Sequence, residues 1–346
     1  MTPRSRVATT SSSAAIHYAG ALAILVTLAG APVLLGQTPP PPATPKASPA
    51  VAAVKPPAGA KGFATAKAAA EALIQAAATF DVTALVAILG PDGTDLVTSQ
   101  DNVQDRNLSL AFAAKATEAQ AVLVSPSNPA RATLVVGAER WPLPVPLVKT
   151  SGKWYFDAKA GRDEILFRRV GANELDAIDV CRGFVEAQKD YALDVHDTSG
   201  VHQYAQRIIS TPGKHDGLAW KDSNGIWQGP VGEGIARVIA EGYQDDLQPY
   251  HGYYFKILKG QGPAAPLGEM NFLTKGLMIG GFALAAAPAE YRVSGVKTFI
   301  VSHSGIVYEQ DLGPKTLEKF KAMEVYNPDS TWSPVSTEPA PTLSTQ

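Results

Sequence analysis

A histidine and an aspartate stand side by side at His215-Asp216, in a loop flanked by glycines. The imidazole could act as a general base oriented by the carboxylate, or both groups could bind a metal ion. Loops held by a rigid scaffold often carry such chemistry. Adjacent side chains often point apart, however, so the pattern favours a turn closed by Asp216 beside a solvated His215.

A second candidate is the loop that begins at His251. Gly252, Tyr253 and Tyr254 follow directly, and an aromatic-lined loop with one histidine could hold a sugar or a peptide. The alternative is that the tyrosines enter a strand and belong to the core, as aromatic residues in strands usually do. His251, Gly252, Tyr253 and Tyr254 are the predicted binding residues.

Two functional hypotheses follow from these residues. The favoured one is a non-enzymatic binding or structural module, because no complete catalytic motif occurs in the sequence. The rival is a hydrolase, with or without a metal ion, that uses His215, Asp216 and His251. The rival requires that these three side chains converge in one cleft. We predict no resident metal site and no cofactor.

Three weaker patterns are interpreted as structural. Cys181 lies on the apolar stripe of a predicted helix without a neighbouring base, which is typical of a small core residue. His303 lies in a tight turn that does not fit the strand-to-helix elbow of a nucleophilic serine. The acidic residues Glu174, Asp176 and Asp179 are predicted to form the solvated side of a helix.

The composition excludes several classes of protein. The 30 basic and 32 acidic residues give a formal net charge of −2, which argues against a nucleic-acid partner. A hydrophobic content of 45% is sufficient for a folded core. The single cysteine excludes an intramolecular disulfide and a cysteine-rich zinc site.

The N-terminus has the pattern of an export signal. Arg4 and Arg6 precede an apolar run over residues 19–36, and the next charge is Lys46. Residues 1–37 are therefore predicted to be a cleaved signal peptide or, less favoured, a retained anchor, which would be the chain's contact with a membrane. Either outcome places the body in the periplasm or outside the cell. Residues 38–61 are rich in proline and alanine and should form an extended spacer.

Two α+β modules are predicted after the spacer. In the first, residues 62–160, helices precede short strands, and Ser151-Gly152 suits a hairpin turn. The second covers residues 161–326, and residues 327–346 read as a flexible tail. Each module is expected to pack helices on an antiparallel sheet.

In the second module, helices are predicted over residues 161–170 and, after a break at Gly171 and a cap at Asn173, as far as residue 191. Further helices are predicted at 201–209, 232–242 and 316–323. Strands are predicted at 253–258, 281–285, 298–302 and 305–310, with a turn at 303–305.

Several segments resemble a bacterial family of exported proteins, domain-of-unknown-function family twenty-nine-fifty. They lie at residues 171–175, 186–192, 204–206, 210–218, 251–258, 261–262, 280–284, 287–288, 298–301 and 308–314. The resemblance covers nearly everything after the spacer and implies an exported cell-envelope protein. The export signal and the spacer, with no complete catalytic set, favour an envelope protein or a wall polymer as partner. It brings no catalytic residue.

The second half alone is similar to the globular heads of type IV pilins and pseudopilins. The likeness rests on a helix containing Ala187, Gln188 and Tyr191, then Gly252-Tyr253 and a final hairpin. In pilins, a long apolar helix leads directly into the head. Here the apolar segment lies far upstream, which argues against filament assembly.

Overall fold

The computed structural model describes residues 56–231 and 249–336. They fall into two compact units, divided between Phe167 and Arg168, and each has its own apolar core. The predicted signal or anchor at 1–37, most of the spacer, the predicted helix at 232–242 and the end of the tail lie outside the described residues. Within the described ranges, we find no helix both long enough and apolar enough to cross a bilayer.

Helices come first in the first unit. They are α1 (Ala66–Thr79), α2 (Val82–Leu89), a 3-10 helix (Pro91–Leu96) and α3 (Asn102–Glu118). Side-chain caps determine where they begin, because Thr65, Asp81 and Asp101 each accept hydrogen bonds from backbone N–H groups of the following turn.

An antiparallel sheet follows and confirms the α+β prediction. Its strands are β1 (Gln120–Ser125), β2 (Asn128–Val136), β3 (Trp141–Pro142), β4 (Leu147–Thr150) and β5 (Lys153–Phe156). The order is β1-β2-β4-β5, and β3 pairs with β2. The predicted turn at Ser151-Gly152 is present, with positive φ angles of 50° and 78°.

The core of this unit lies between the helices and one face of the sheet. Phe112 of α3 and the strand residues Leu134, Leu147 and Phe156 are 0–1% exposed. A cavity of about 20 Å³ in this core is lined by apolar side chains. None of the side chains that line it is polar, so none could bond a water molecule or orient a ligand, and we interpret it as a packing defect.

A single helix, α4 (Ala158–Tyr191), runs through the predicted break. The predicted end at Gly171 and the cap at Asn173 are therefore wrong. An interior glycine costs only about 1 kcal/mol relative to alanine, and the burial of Val170, Ala177 and Ile178 on the same helix outweighs that cost. The Asn173 side chain donates instead to the Ser294 carbonyl oxygen at 2.8 Å, far away in the sequence.

A small three-stranded sheet follows α4. Its strands are β6 (Arg207–Ile209), β7 (Gly217–Lys221) and β8 (Trp227–Gln228). β6 and β7 are parallel, in contrast to the antiparallel pairs elsewhere. The predicted helix at 201–209 is wrong. Backbone donors there bond to distant partners instead, Tyr204 to the Met278 oxygen and Ala205 to the Gln188 side chain, both at 2.8 Å.

The main sheet of the second unit is antiparallel and has five strands. The described elements after residue 249 are β9 (Tyr253–Leu258), β10 (Gly260–Gln261), β11 (Met270–Asn271), β12 (Leu273–Thr274), β13 (Leu277–Met278), β14 (Ala283–Pro288), β15 (Lys297–Ser302), β16 (Val307–Asp311), α5 (Thr316–Ala322) and β17 (Ser333–Pro334). The order in the main sheet is β17-β16-β15-β14-β9. Every residue of β14 is buried. The predicted strand at 253–258, the turn at 303–305 and the closing helix are confirmed.

Candidate functional site

Two groups of polar and aromatic side chains lie at different points along the second-unit part of α4. The first, here called the clasp, consists of Asn173, Glu174 and Asp176 with their bonding partners. The second, here called the aromatic cluster, consists of Tyr191, His196, His215 and Trp220. Of the candidate residues predicted from the sequence, His251 bonds to the clasp and His215 belongs to the aromatic cluster.

The clasp residues bind loops. Glu174 Oε1 accepts hydrogen bonds from the backbone N–H groups of Val296 at 2.8 Å and Lys297 at 3.0 Å. Asp176 forms an ion pair with His251. The prediction that Glu174 and Asp176 merely face solvent is therefore wrong. Asp179 does lie at the surface, 3.4 Å from Arg182. The sequence carried no signal for these bonds, because the partners lie more than 70 positions away.

His251 lies at the tip of a two-residue turn. Its φ angle is 45° and that of Gly252 is 75°, while Tyr250 and Tyr253 exchange backbone hydrogen bonds of 3.0 and 2.9 Å. Two left-handed residues in succession fit a tight hairpin turn. A Cβ atom at Gly252 would lie 2.7 Å from the Asn173 amide nitrogen. The turn thus needs glycine both for its backbone angle and for its close approach to α4.

The imidazole of His251 is held on two sides. Its Nδ1 atom bonds to Asp176 Oδ2, and its ring stacks on Tyr250 with the centroids 4.2 Å apart. A carboxylate on Nδ1 fixes the tautomer, so Nε2 is the nitrogen available for acid–base chemistry. Both side chains of the pair are about half exposed, at 51% and 47%. The pair alone can position a proton, but it lacks a nucleophile.

Tyr253 and Tyr254 belong with the core. Tyr253 is 1% exposed, and its hydroxyl donates to the Lys297 carbonyl oxygen at 2.9 Å. Burial raises the pKa of Tyr253 strongly. The predicted binding role of Tyr253 is therefore wrong, and its core alternative holds. Tyr254 is half-buried and packs against the same core.

The aromatic cluster lies where α4 ends. The rings of Tyr191 and His196 are stacked at 3.8 Å, and His196 meets the edge of Trp220 at 5.6 Å. His215 stacks on Trp220, with the centroids 4.5 Å apart and the planes 24° apart. The Tyr191 hydroxyl donates to the backbone oxygen of His215. His215 itself is exposed, and Trp220 is half-buried, so the cluster reaches the surface there.

Two histidines close the C-terminus of α4. His196 Nε2 bonds to the Tyr191 carbonyl oxygen at 2.8 Å, and His202 Nδ1 bonds to that of Ala192 at 3.0 Å. The last carbonyls of a helix lack partners within it and carry partial negative charge, which imidazole N–H groups satisfy. Neither histidine is among the residues predicted from the sequence. Histidines shortly after a predicted helix end were the available signal.

Asp216 points away from His215. It accepts hydrogen bonds from the Thr211 backbone at 2.7 Å and from the Thr211 hydroxyl at 2.8 Å. Burial raises the pKa of Asp216, but the bonds from Thr211 and the charge of Arg207 outweigh burial and hold it below its ordinary value. Asp216 therefore closes the loop as a carboxylate, in agreement with the turn alternative, and is not positioned to orient His215.

The structure does not bring His215, Asp216 and His251 together. The backbone oxygen of His215 bonds to Tyr191 and the ring of His251 bonds to Asp176. Those two helix residues are separated by about 22 Å at ~1.5 Å rise per residue. Within the described parts of the chain, we find no group of three histidine, cysteine or acidic side chains able to hold a metal ion.

Two candidates remain, of which Cys181 is buried and His303 is half-buried. Cys181 is 0% exposed, and burial raises its pKa to about 12, so the thiolate that a nucleophile requires does not form near neutral pH. His303 lies in its predicted turn, with its ring 5.9 Å from that of Phe272.

Comparison with known proteins gives one match. The family model described as "Protein of unknown function (DUF2950)" matches residues 60–335. It is the family twenty-nine-fifty that the sequence resembles. No curated protein and no solved structure matches the chain, and the resemblance of its second half to pilin heads is therefore not confirmed.

Proposed function

Since the chain belongs to the DUF2950 family of proteins of unknown function, we propose a function from its own residues. It is an exported bacterial cell-envelope protein that acts by binding rather than by catalysis. Its ligand is a wall polymer, and the aromatic cluster of the second unit is the contact surface.

Export is supported by the N-terminal pattern alone. Two arginines, an apolar run and a proline-rich spacer precede the folded units. Such a spacer would hold a binding module away from a membrane surface. The proposal therefore places the two units in the periplasm or outside the cell.

The His215–Trp220 pair carries the proposal for binding. An exposed imidazole lies flat on an indole at 4.5 Å, and the loop that carries it is fixed by Asp216 and by the Tyr191 hydroxyl. Rigid, amphipathic rings lose little conformational entropy on binding and dominate the energy of many contact surfaces. Arg207, which is exposed and 3.7 Å from Asp216, adds a positive charge to the loop that carries His215.

The hydrolase alternative has less support. Asp216 is engaged with Thr211 and the Asp176–His251 pair lies about 22 Å along α4 from the aromatic cluster. A general base without a nucleophile or an activated water gives no reaction. Binding requires only the surface that the cluster offers.

The test of binding is co-sedimentation with purified wall sacculi. We expect the wild-type protein to sediment with them and His215→Ala to bind about tenfold more weakly, which corresponds to ~1.4 kcal/mol. Trp220→Ala should lose at least as much affinity for the sacculi. His202→Ala and Trp332→Ala, which remove a histidine and a tryptophan outside the His215–Trp220 pair, serve as matched controls. Equal sedimentation of all five proteins, with circular dichroism unchanged, would contradict the proposed surface.

Export is tested separately by cell fractionation and N-terminal sequencing. We expect the protein in the envelope or periplasmic fraction, with a new N-terminus near residue 37 or with the apolar run retained. Recovery from the cytosol with Met1 and the apolar run intact would refute export. If that protein still bound sacculi, the proposed binding surface would be supported even though export was refuted.

A further inference from the structure

β1 forms one edge of the sheet in the first unit. It pairs with β2 on one side, and no strand pairs with its other side in residues 56–231 and 249–336. Alternate backbone N–H and C=O groups of an edge strand point outward and can bond to another strand. This edge therefore offers main-chain hydrogen bonds to an incoming strand.

The sequence of β1 provides little protection against such pairing. Its six residues, Gln-Ala-Val-Leu-Val-Ser, include no charge and no proline, the two means by which edge strands usually resist association. Leu123 is 38% exposed and Val124 is 51% exposed. The one irregularity is a shift in register between Val124 and Ser125, so the strand is regular as far as Val124.

The register assigns each side chain of β1 to a face. Val122 lies opposite Leu134 and Val124 opposite Ala132, which belong to the core under the helices. Leu123 lies opposite Thr133 and so points to the other face, because side chains alternate along a strand. The exposed apolar residues of the edge are therefore divided between the two faces.

We propose that β1 pairs antiparallel with β1 of a second copy of this chain, about a twofold axis at Leu123. Leu123 then lies opposite Leu123 of the second copy, and Val124 lies opposite Val122 of the second copy. Both exposed side chains are covered by apolar ones. A twofold axis perpendicular to the sheet keeps the helices of both copies on the same face and joins the two sheets into one.

Self-complementarity favours a second copy over another partner. In this register every apolar position of the strand meets an apolar or small one, and Ser125 meets Ala121, so no buried polar side chain is created. A single pair of short strands buries less than a standard interface. We therefore expect a dissociation constant in the micromolar range, of order 1–100 µM.

Sedimentation equilibrium of the purified protein, with the N-terminus that it has in the cell, tests the association. The weight-average mass should rise with concentration and reach about 1.5 to 1.9 times the monomer mass at about 100 µM chain, as a dissociation constant of about 1–100 µM requires. Leu123→Lys should restore the monomer mass, because it places two like charges opposite each other at the axis. Val103→Lys, at a position 72% exposed on α3, is the matched control and should still dimerise.

A cysteine placed on the axis tests the register. Leu123→Cys should form an intermolecular disulfide under mild oxidation, because directly opposed Cβ atoms lie about 4.5–5.5 Å apart. Val124→Cys and Val103→Cys should form it at least tenfold more slowly. Cys181 does not interfere, since it is fully buried and burial raises its pKa to about 12.

A monomer mass at all concentrations would overturn the proposal. That result is also expected if the edge of β1 binds an extended segment of another protein instead of a second copy. Cross-linking of Leu123→Cys no faster than that of Val103→Cys would overturn it as well. Circular dichroism melting of each variant separates loss of association from loss of folding.

Discussion

Gln188 provides the sharpest test of how the second unit is held together. Its side chain is 0% exposed. The amide donates to the Ala205 carbonyl oxygen and accepts from the Ala205 N–H, both at 2.8 Å. One helical side chain thus satisfies both backbone groups of a buried residue in the segment 201–206. This pair of hydrogen bonds holds the segment in place of the helix that the sequence predicts there.

Gln188→Met keeps the length of the side chain and removes both hydrogen bonds. A buried polar group left without a partner costs about 1–3 kcal/mol, so two such groups should lower the free energy of unfolding by roughly 2–6 kcal/mol. Gln206→Met is the matched control. Its amide donates to the Gly276 oxygen at 2.7 Å in an exposed position, where water can replace the lost partner, and the cost should stay below about 1 kcal/mol.

Urea unfolding followed by circular dichroism measures the difference. Hydrogen exchange with peptide resolution locates it, since amides of residues 203–209 should exchange faster in Gln188→Met than in the control. If both variants unfold within about 0.5 kcal/mol of wild type, the buried amide does not hold this segment and the reasoning is refuted. An equal loss in both variants would refute it too.

Three further predictions concern single side chains. Cys181 should resist thiol reagents at pH 8 in the folded protein and react fully in urea, since burial raises its pKa to about 12; rapid labelling of the native protein would contradict this. Gly252→Ala should lower the melting temperature, because φ is 75° and Asn173 lies 2.7 Å from the new Cβ; an unchanged value would contradict the tight turn. Asp216→Asn should be less stable than wild type at neutral pH. Because the folded-state pKa of Asp216 is lowered by its bonds from Thr211 despite burial, this difference should shrink as the pH falls below about 4, and a constant difference would contradict it.

Elements fixed by nearby residues could be predicted from the sequence. The strand at Tyr253–Leu258 and the helix at Thr316–Ala322 follow from local hydrophobic patterning. The turn at Ser151-Gly152 follows from the preference of glycine for positive φ. In each case the determining residues lie within one element or its ends, so no distant partner had to be known.

Elements determined by distant partners could not be predicted. The sequence around Gly171 and Asn173 has the pattern of a helix end, yet the side chain of Asn173 is engaged by Ser294, 121 positions away. Helical position alone predicts a solvated Glu174, because a carboxylate on a helix usually faces water. Its two backbone donors come from a loop whose position depends on the whole second sheet. Local propensity is a weak prior where tertiary bonds of this kind compete with it.

The two proposals meet in one further expectation. A wall polymer repeats its chemical unit, so the two aromatic clusters of a dimer can bind the same polymer chain. The second contact is then intramolecular. Leu123→Lys should therefore weaken binding to sacculi although it lies in the first unit, whereas His215→Ala should leave the dimer mass unchanged. Binding to short, soluble wall fragments, which hold one cluster only, should not respond to Leu123→Lys. Equal loss of fragment and sacculus binding in Leu123→Lys would show that the substitution damages the protein rather than its bivalency.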